Sequence, residues 1–236
     1  MKTTQSPFVI MSIMMKGGIS KSALSRIINE KLMVNEKKSV LLNFDYSKDA
    51  KDFTPFEALN FAELRYEDED IDPLQLVKGL KEEYDYVVID TPGEIGGETI
   101  NTIDEVDLFV IPYGVDVEET DDLFSTLEIL MSQYERDTLN VVFVHSNYHE
   151  DEDIAIANAE VKPKIDALIQ NRENRSLNVV HHYSQLKFSK VIRKMKKEKQ
   201  SFDAIYQTNT GGYKKINKRV KAFISDLQKA IEAARG

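Results

Sequence analysis

The nine residues Met15–Ala23, MKGGISKSA, follow the apolar run Phe8–Met14 and lead into Lys21–Met33, a segment with helical periodicity. Strand, glycine loop and helix in that order can hold a phosphate chain. Backbone N–H groups turn inward, the positive end of the helix dipole faces the anion, and a lysine reaches the outer phosphates. Gly17 and Gly18 permit a backbone path that a Cβ would hinder, Lys21 is placed for the β/γ-phosphates, and the Ser22 hydroxyl for Mg²⁺. Gly17, Gly18, Ile19, Ser20, Lys21, Ser22 and Ala23 are thus the candidate nucleotide cradle. A Gly-Gly turn before an ordinary amphipathic helix is the competing reading.

Downstream, Tyr84–Gly93 reads YDYVVIDTPG, a hydrophobic strand ending in Asp90. A carboxylate at that point can hold the hydration shell of Mg²⁺, which makes Ser22 and Asp90 the candidate metal pair. The strand Val40–Phe44 ends in Asp45, and an acid at a strand's C-terminal edge can orient an attacking water. An Asp after a strand is more commonly a turn residue, so its context carries the assignment.

Further strand-length apolar runs occur at Leu108–Ile111, Val141–Val144 and Val179–Val180. Helical patterns fall at Pro73–Glu83 with Asp72 as N-cap, Glu118–Tyr134, Asp151–Gln170, Ser189–Lys199 and Tyr213–Ala234. Strands alternating with helices predict an α/β fold, a mostly parallel sheet with helices on both faces, in one domain spanning residues 1–236. The acidic stretch Glu67–Asp72 reads as a solvated loop, and Glu118-Glu119 as acids complementing the start of a helix.

Composition agrees with a globular chain: 42% of its 236 residues are hydrophobic and 30% charged. No apolar stretch approaches the ~18–20 residues of a spanning helix. Without cysteine the chain has neither disulfides nor thiolate chemistry, which fits a cytoplasmic location. The net charge of −9 divides unevenly: residues 1–185 hold 17 basic and 36 acidic side chains, residues 186–236 hold 14 and 4, giving −19 and +10. Such asymmetry marks a surface that meets a polyanion. The basic residues form two clusters, Lys187, Lys190, Arg193, Lys194, Lys196, Lys197 and Lys199, then Lys214, Lys215, Lys218, Arg219 and Lys221. Two clusters exceed what solubility demands of an otherwise acidic chain.

Lys16 directly before the glycine pair, Asp45 at a strand end, IDTPG around Asp90, VDLFVIPYGVD with Pro112, and RKMKKEKQSFDAI before the last helix together resemble the ParA/MinD deviant-Walker superfamily of P-loop NTPases. The resemblance covers essentially the whole chain. It implies a slow ATPase using ATP and Mg²⁺, forming a homodimer on ATP binding, with Lys16 reaching the partner's phosphates. Asp45 matches the catalytic acid and Asp90 the Walker B acid, so that Lys16, Lys21 and Asp45 are the catalytic candidates. Thr91-Pro92-Gly93 matches the switch that senses the γ-phosphate. With the loop beginning near residue 15, the chain is most similar to the small ParA type. This implies DNA segregation, nonspecific DNA binding in the ATP state through the basic residues, a DNA-bound adaptor, and a nucleoid-associated location.

Three positions depart from the family pattern. Ser20 stands at the glycine before the P-loop lysine, Ala23 replaces a hydroxyl residue, and Asn43 replaces the first acid of an acid-x-acid pair. The first predicts local strain and weakened hydrolysis with binding retained. Alternative readings are a membrane-positioning or conjugation-associated ATPase, or a degenerate nucleotide-binding scaffold. The stripe Ile216, Val220, Phe223, Ile224, Leu227 and Ile231 beside a basic face would serve membrane attachment, although packing on the sheet is its commoner use. His145, His149, His181 and His182 have no ordered metal-ligand spacing, and Ser184 and Ser189 lack a nucleophile elbow.

Overall fold

The computed structural model describes residues 6–15, 20–33, 37–45, 58–147, 151–173, 176–187, 201–203 and 213–236. Lys16, Gly17, Gly18, Ile19, His149, the helix expected over Ser189–Lys199, and Lys190, Arg193, Lys194, Lys196 and Lys197 within it lie outside the described residues.

Seven parallel strands form one sheet: β1 (Phe8–Ser12), β2 (Ser39–Asn43), β3 (Ala58–Asn60), β4 (Tyr86–Asp90), β5 (Leu108–Gly114), β6 (Thr138–Asn147) and β7 (Asn178–Gln185), in the order β3-β2-β4-β1-β5-β6-β7. The four central strands are apolar without alternation because both of their faces are covered. The described helices are α1 (Lys21–Leu32), α2 (Phe61–Glu67), α3 (Pro73–Glu83), α4 (Gly97–Thr102), α5 (Val117–Gln133), α6 (Asp151–Ile156), α7 (Lys162–Gln170) and α8 (Tyr213–Arg235). On one face, Val9, Met11, Leu42, Ile89, Phe109 and Phe143 pack under α3, α5 and α7. On the other, Phe8, Ile10, Leu41, Val88, Val110 and Val142 pack under α1 and α8.

Local chemistry explains most boundaries. Asp72 caps α3 by accepting the Leu74 N–H at 2.9 Å, with Pro73 in the first turn where its missing N–H costs nothing. The helix expected over Asp151–Gln170 is continuous but widens to a π-helical turn at Ala157–Val161. Pro163 lies two residues beyond it, in the first turn of α7; it has no N–H, and its ring crowds the carbonyl four residues back. β5 runs through Pro112, with a register shift against β6 at Tyr113/Gly114. The strand therefore extends beyond the expected Leu108–Ile111, through a proline, a residue that is rare inside sheets. The acidic stretch is split: Glu67 ends α2 and the remainder is an exposed turn.

The stripe on α8 is consumed by packing. Ile216, Val220, Phe223, Leu227 and Ile231 are buried in the core under the sheet, with Ile224 packed against its edge, so the last helix offers no apolar face for a membrane. Among the described residues, no helix is long and apolar enough to cross a membrane.

Candidate functional site

The chain crosses from β1 outward to β2 on one side and later returns past β1 to reach β5 on the other, so β1 ends at a switch point of the strand order. Ligands of open α/β sheets sit in the crevice at such points, off the C-terminal ends of the strands. The residues leaving β1 are tied down from both neighbouring elements. Ile13 N–H donates to Val110 O at 3.1 Å. Met15 N–H donates to the Thr126 hydroxyl of α5 at 3.1 Å, and that hydroxyl donates to Asp122 O at 2.7 Å.

Ser20 begins α1 with φ 64° and ψ 3°, the one non-glycine residue with positive φ among those described. The left-handed conformation crowds a Cβ, and the Ser20 side chain makes no capping hydrogen bond in return. The strain expected from the missing glycine is therefore present in the backbone. Lys21 follows, 5% exposed, and its Nζ donates to Met14 O at 3.0 Å. The ammonium thus bridges the base of the loop. Ser22 is half-buried in the first turn, whereas Ala23 packs against the core and its methyl offers nothing polar to a ligand.

Three polar residues end adjacent strands in register: Asn43 on β2, Asp90 on β4 and Ser12 on β1, all fully buried. They share parity with Leu41, Val88 and Ile10, so they face α1. Ser25, one turn after Lys21, hangs over this row: its Oγ lies 3.0 Å from Lys21 O and 3.4 Å from Asp90 Oδ1, its single proton serving both. Asn43 holds the turn that carries Asp45. It accepts the Asp45 N–H and donates Nδ2–H to Asp45 O, each at 3.1 Å, while Phe44 N–H donates to Asp90 O at 2.9 Å. The Asn43 amide thereby supplies a local clamp that a carboxylate, having no donor, lacks. Asp45 itself is half-buried at the strand edge. Thr91 donates its hydroxyl to Ser12 O at 2.9 Å, fixing the start of the Thr91-Pro92-Gly93 turn.

Sequence reasoning missed Ser12, Ser25 and Thr126. Ser25 was findable, since a hydroxyl four residues after a loop lysine lies on the same helix face. Ser12 was findable by counting strand parity back from the loop. Thr126 was not, because its contact with Met15 spans 111 residues.

Farther along the same sheet edge, Tyr113 of β5 stacks on His145 of β6 at 5.2 Å between ring centroids. Burial pushes the His145 imidazole down to about 4 and the Tyr113 hydroxyl above its ordinary value, so both are neutral near pH 7. His181 and Tyr183 meet Asp166 of α7 at 2.9 and 2.8 Å. Ser184 donates to Asp226 of α8 at 2.8 Å, a packing role.

Of the basic residues described, Lys187 is half-buried after β7, Lys214, Lys215, Lys218 and Lys221 are exposed on α8, and Arg219 is half-buried. The direction of α8 locates them. Its last residue, Arg235, lies over Phe8 and Tyr86, which begin β1 and β4, whereas Asp226 meets Ser184 near the end of β7. The helix therefore runs against the strands, and its basic first turns extend toward the C-terminal edge of the sheet, the edge at which β1 ends.

No family model matches the chain, and no curated protein sequence matches it. Solved structures do. McdA from Cyanothece in complex with ATP is 15% identical, with 95% of this chain and 97% of that chain covered and a TM-score of 0.63. A ParA family ATPase from Chlorobium tepidum is 11% identical over 90% and 96% of the two chains, with a TM-score of 0.64. MinD from Pyrococcus horikoshii, complexed with Mg-ADP, is 14% identical over 98% and 99%, with a TM-score of 0.63.

Proposed function

We propose, from the fold this chain shares with the ParA/MinD ATPases, that it is an ATP-dependent switch of the ParA kind: a slow ATPase that dimerises on ATP–Mg²⁺, binds nonspecific DNA in that state, and answers to a DNA-bound adaptor. The observation that carries this reading is the convergence of Lys21 and Asp90 at the switch point, one bridging the loop base and the other buried one hydroxyl away under the same helix.

In this reading Gly17, Gly18, Ile19, Ser20, Lys21, Ser22 and Ala23 line the phosphates, with Ala23 contributing backbone only, and Pro92 faces them from the switch. Ser22 and Asp90 hold Mg²⁺. The donor set fits a hard cation, because every side chain that faces α1 from the strand ends carries oxygen and none carries sulfur or imidazole. When bound, Mg²⁺ supplies neutralisation of phosphate charge. Lys21 binds the outer phosphates, Lys16 reaches those of the partner subunit, and Asp45, held by Asn43, orients a water. The Ser20 backbone makes turnover slow.

The DNA surface consists of Lys187, Lys190, Arg193, Lys194, Lys196, Lys197, Lys214, Lys215, Lys218 and Arg219. Lys214 and Lys215 sit in the first turn of α8, where the helix dipole disfavours cations and no acid offsets them. Basic residues kept where they weaken their own helix favour a role in binding a polyanion. Segregation of DNA, rather than positioning on a membrane, is favoured by the burial of the α8 stripe.

Calorimetry with ATP–Mg²⁺ on the native chain and Lys21→Ala tests the nucleotide reading, and DNA mobility shift with and without ATP tests the switch. We expect micromolar binding by the native chain, at least a hundredfold loss in the variant, and DNA binding that requires ATP and falls steeply with salt. A native chain that binds no ATP–Mg²⁺ would refute the proposal.

A further inference from the structure

The row Asn43–Asp90–Ser12 ends in a hydroxyl that no described residue engages. Asn43 clamps Asp45, and Asp90 meets Ser25, but Ser12 Oγ is fully buried and has no hydrogen-bond partner among the described residues. Ser12 is engaged through its backbone alone, its carbonyl accepting from Thr91. Leaving a hydroxyl dry inside a core is costly, and alanine or valine would fill a strand end without that cost. The hydroxyl is Asp90's direct neighbour across the β1–β4 ladder, on the same face of the sheet, at a spacing of about 4.8 Å between strands.

We propose that Ser12 is a positioning residue of the metal site, its hydroxyl hydrogen-bonding a water in the hydration shell of the cation that Asp90 holds. A water there has three partners, the Asp90 carboxylate, the Ser12 hydroxyl and the metal, which suffices to order it. Mg²⁺ dehydrates reluctantly and is held by protein groups through several of its waters, so a hydroxyl beside the carboxylate adds affinity without being a ligand. The inference rests on the nucleotide reading above.

The test exploits opposite signs. Ser12→Ala removes the hydroxyl and little else. Mn²⁺ binding to the chain saturated with ADP is followed by electron paramagnetic resonance, ADP binding is measured by calorimetry in EDTA, and thermal unfolding is measured on the nucleotide-free chain. We expect Mn²⁺ affinity to fall about fivefold, ADP binding in EDTA to stay within twofold, and Tm to rise by roughly 2–4 °C as the unpaired hydroxyl disappears. Unchanged Mn²⁺ affinity, or an equal loss of ADP binding in EDTA, overturns the assignment and makes Ser12 a packing residue. If the native chain binds ADP with no gain from Mn²⁺, the metal reading of Asp90 fails first, and that failure appears without any variant.

Discussion

Helices α1 and α8 pack side by side on the same face of the sheet, yet only α1 buries polar side chains along with its apolar ones. α8 buries an unbroken apolar stripe, Ile216, Val220, Phe223, Leu227, Ala230 and Ile231, and turns its lysines outward. α1 buries Leu24, Ile27, Ile28 and Leu32, but also Lys21, Ser25, Arg26, Asn29 and Glu30. These polar groups tie α1 to four separate parts of the chain. Lys21 reaches Met14 O, Ser25 reaches Asp90, and Asn29 accepts from Ser39 at 2.6 Å. Glu30 receives the backbone N–H groups of Phe202 and Asp203 at 2.7 and 3.0 Å. Phe202 is itself fully buried, so Phe202 and Asp203 are anchored to α1. Apolar burial makes α8 a source of stability. The same position on the sheet makes α1 a junction, held by directional bonds to separate parts of the chain.

The largest effect should separate the two roles. Phe223→Ala leaves a cavity under α8 and is expected to lower unfolding free energy by about 3–5 kcal/mol, with ADP affinity unchanged in the molecules that remain folded. Urea unfolding and calorimetry check the two parts; a loss of affinity beyond the folded fraction would mean that α8 supports the site directly. A smaller effect of opposite sign is expected at the start of α1. Ser20→Gly removes a left-handed Cβ and should raise stability by about 1 kcal/mol, the relief exceeding the extra freedom glycine gives the unfolded chain. Destabilisation instead would show that the Ser20 hydroxyl holds the loop.

The same contrast governs what the sequence disclosed. The sheet, α1, α3, α5 and α8 were legible because hydrophobic period and capping residues report packing, and packing dominates those elements. β3 and α2 were not, since Ala58–Asn60 is a three-residue strand and Phe61 is the only fully buried residue of its helix. α4, six residues with little apolar content, gave no period to read. Within the candidate site, Lys21, Asp45 and Asp90 are motif residues with defined spacing, which a sequence can display. The polar row and the tether at Glu30 were not, because hydrogen bonds between residues 65 to 173 positions apart leave no local pattern.

The smallest effect concerns the exposed half of α8. Lys214 and Lys215 oppose the dipole at the helix start, so replacing both by glutamine should raise Tm slightly, by about 1–2 °C. On the proposed DNA surface the same change would remove two phosphate contacts, and the slope of log K against log salt for ATP-dependent DNA binding should flatten by about 1.8. Stability and binding then move in opposite directions on substitution of the same residues. That pattern distinguishes a binding surface from a solvated helix face, for which Tm would rise and the salt slope would stay where it was.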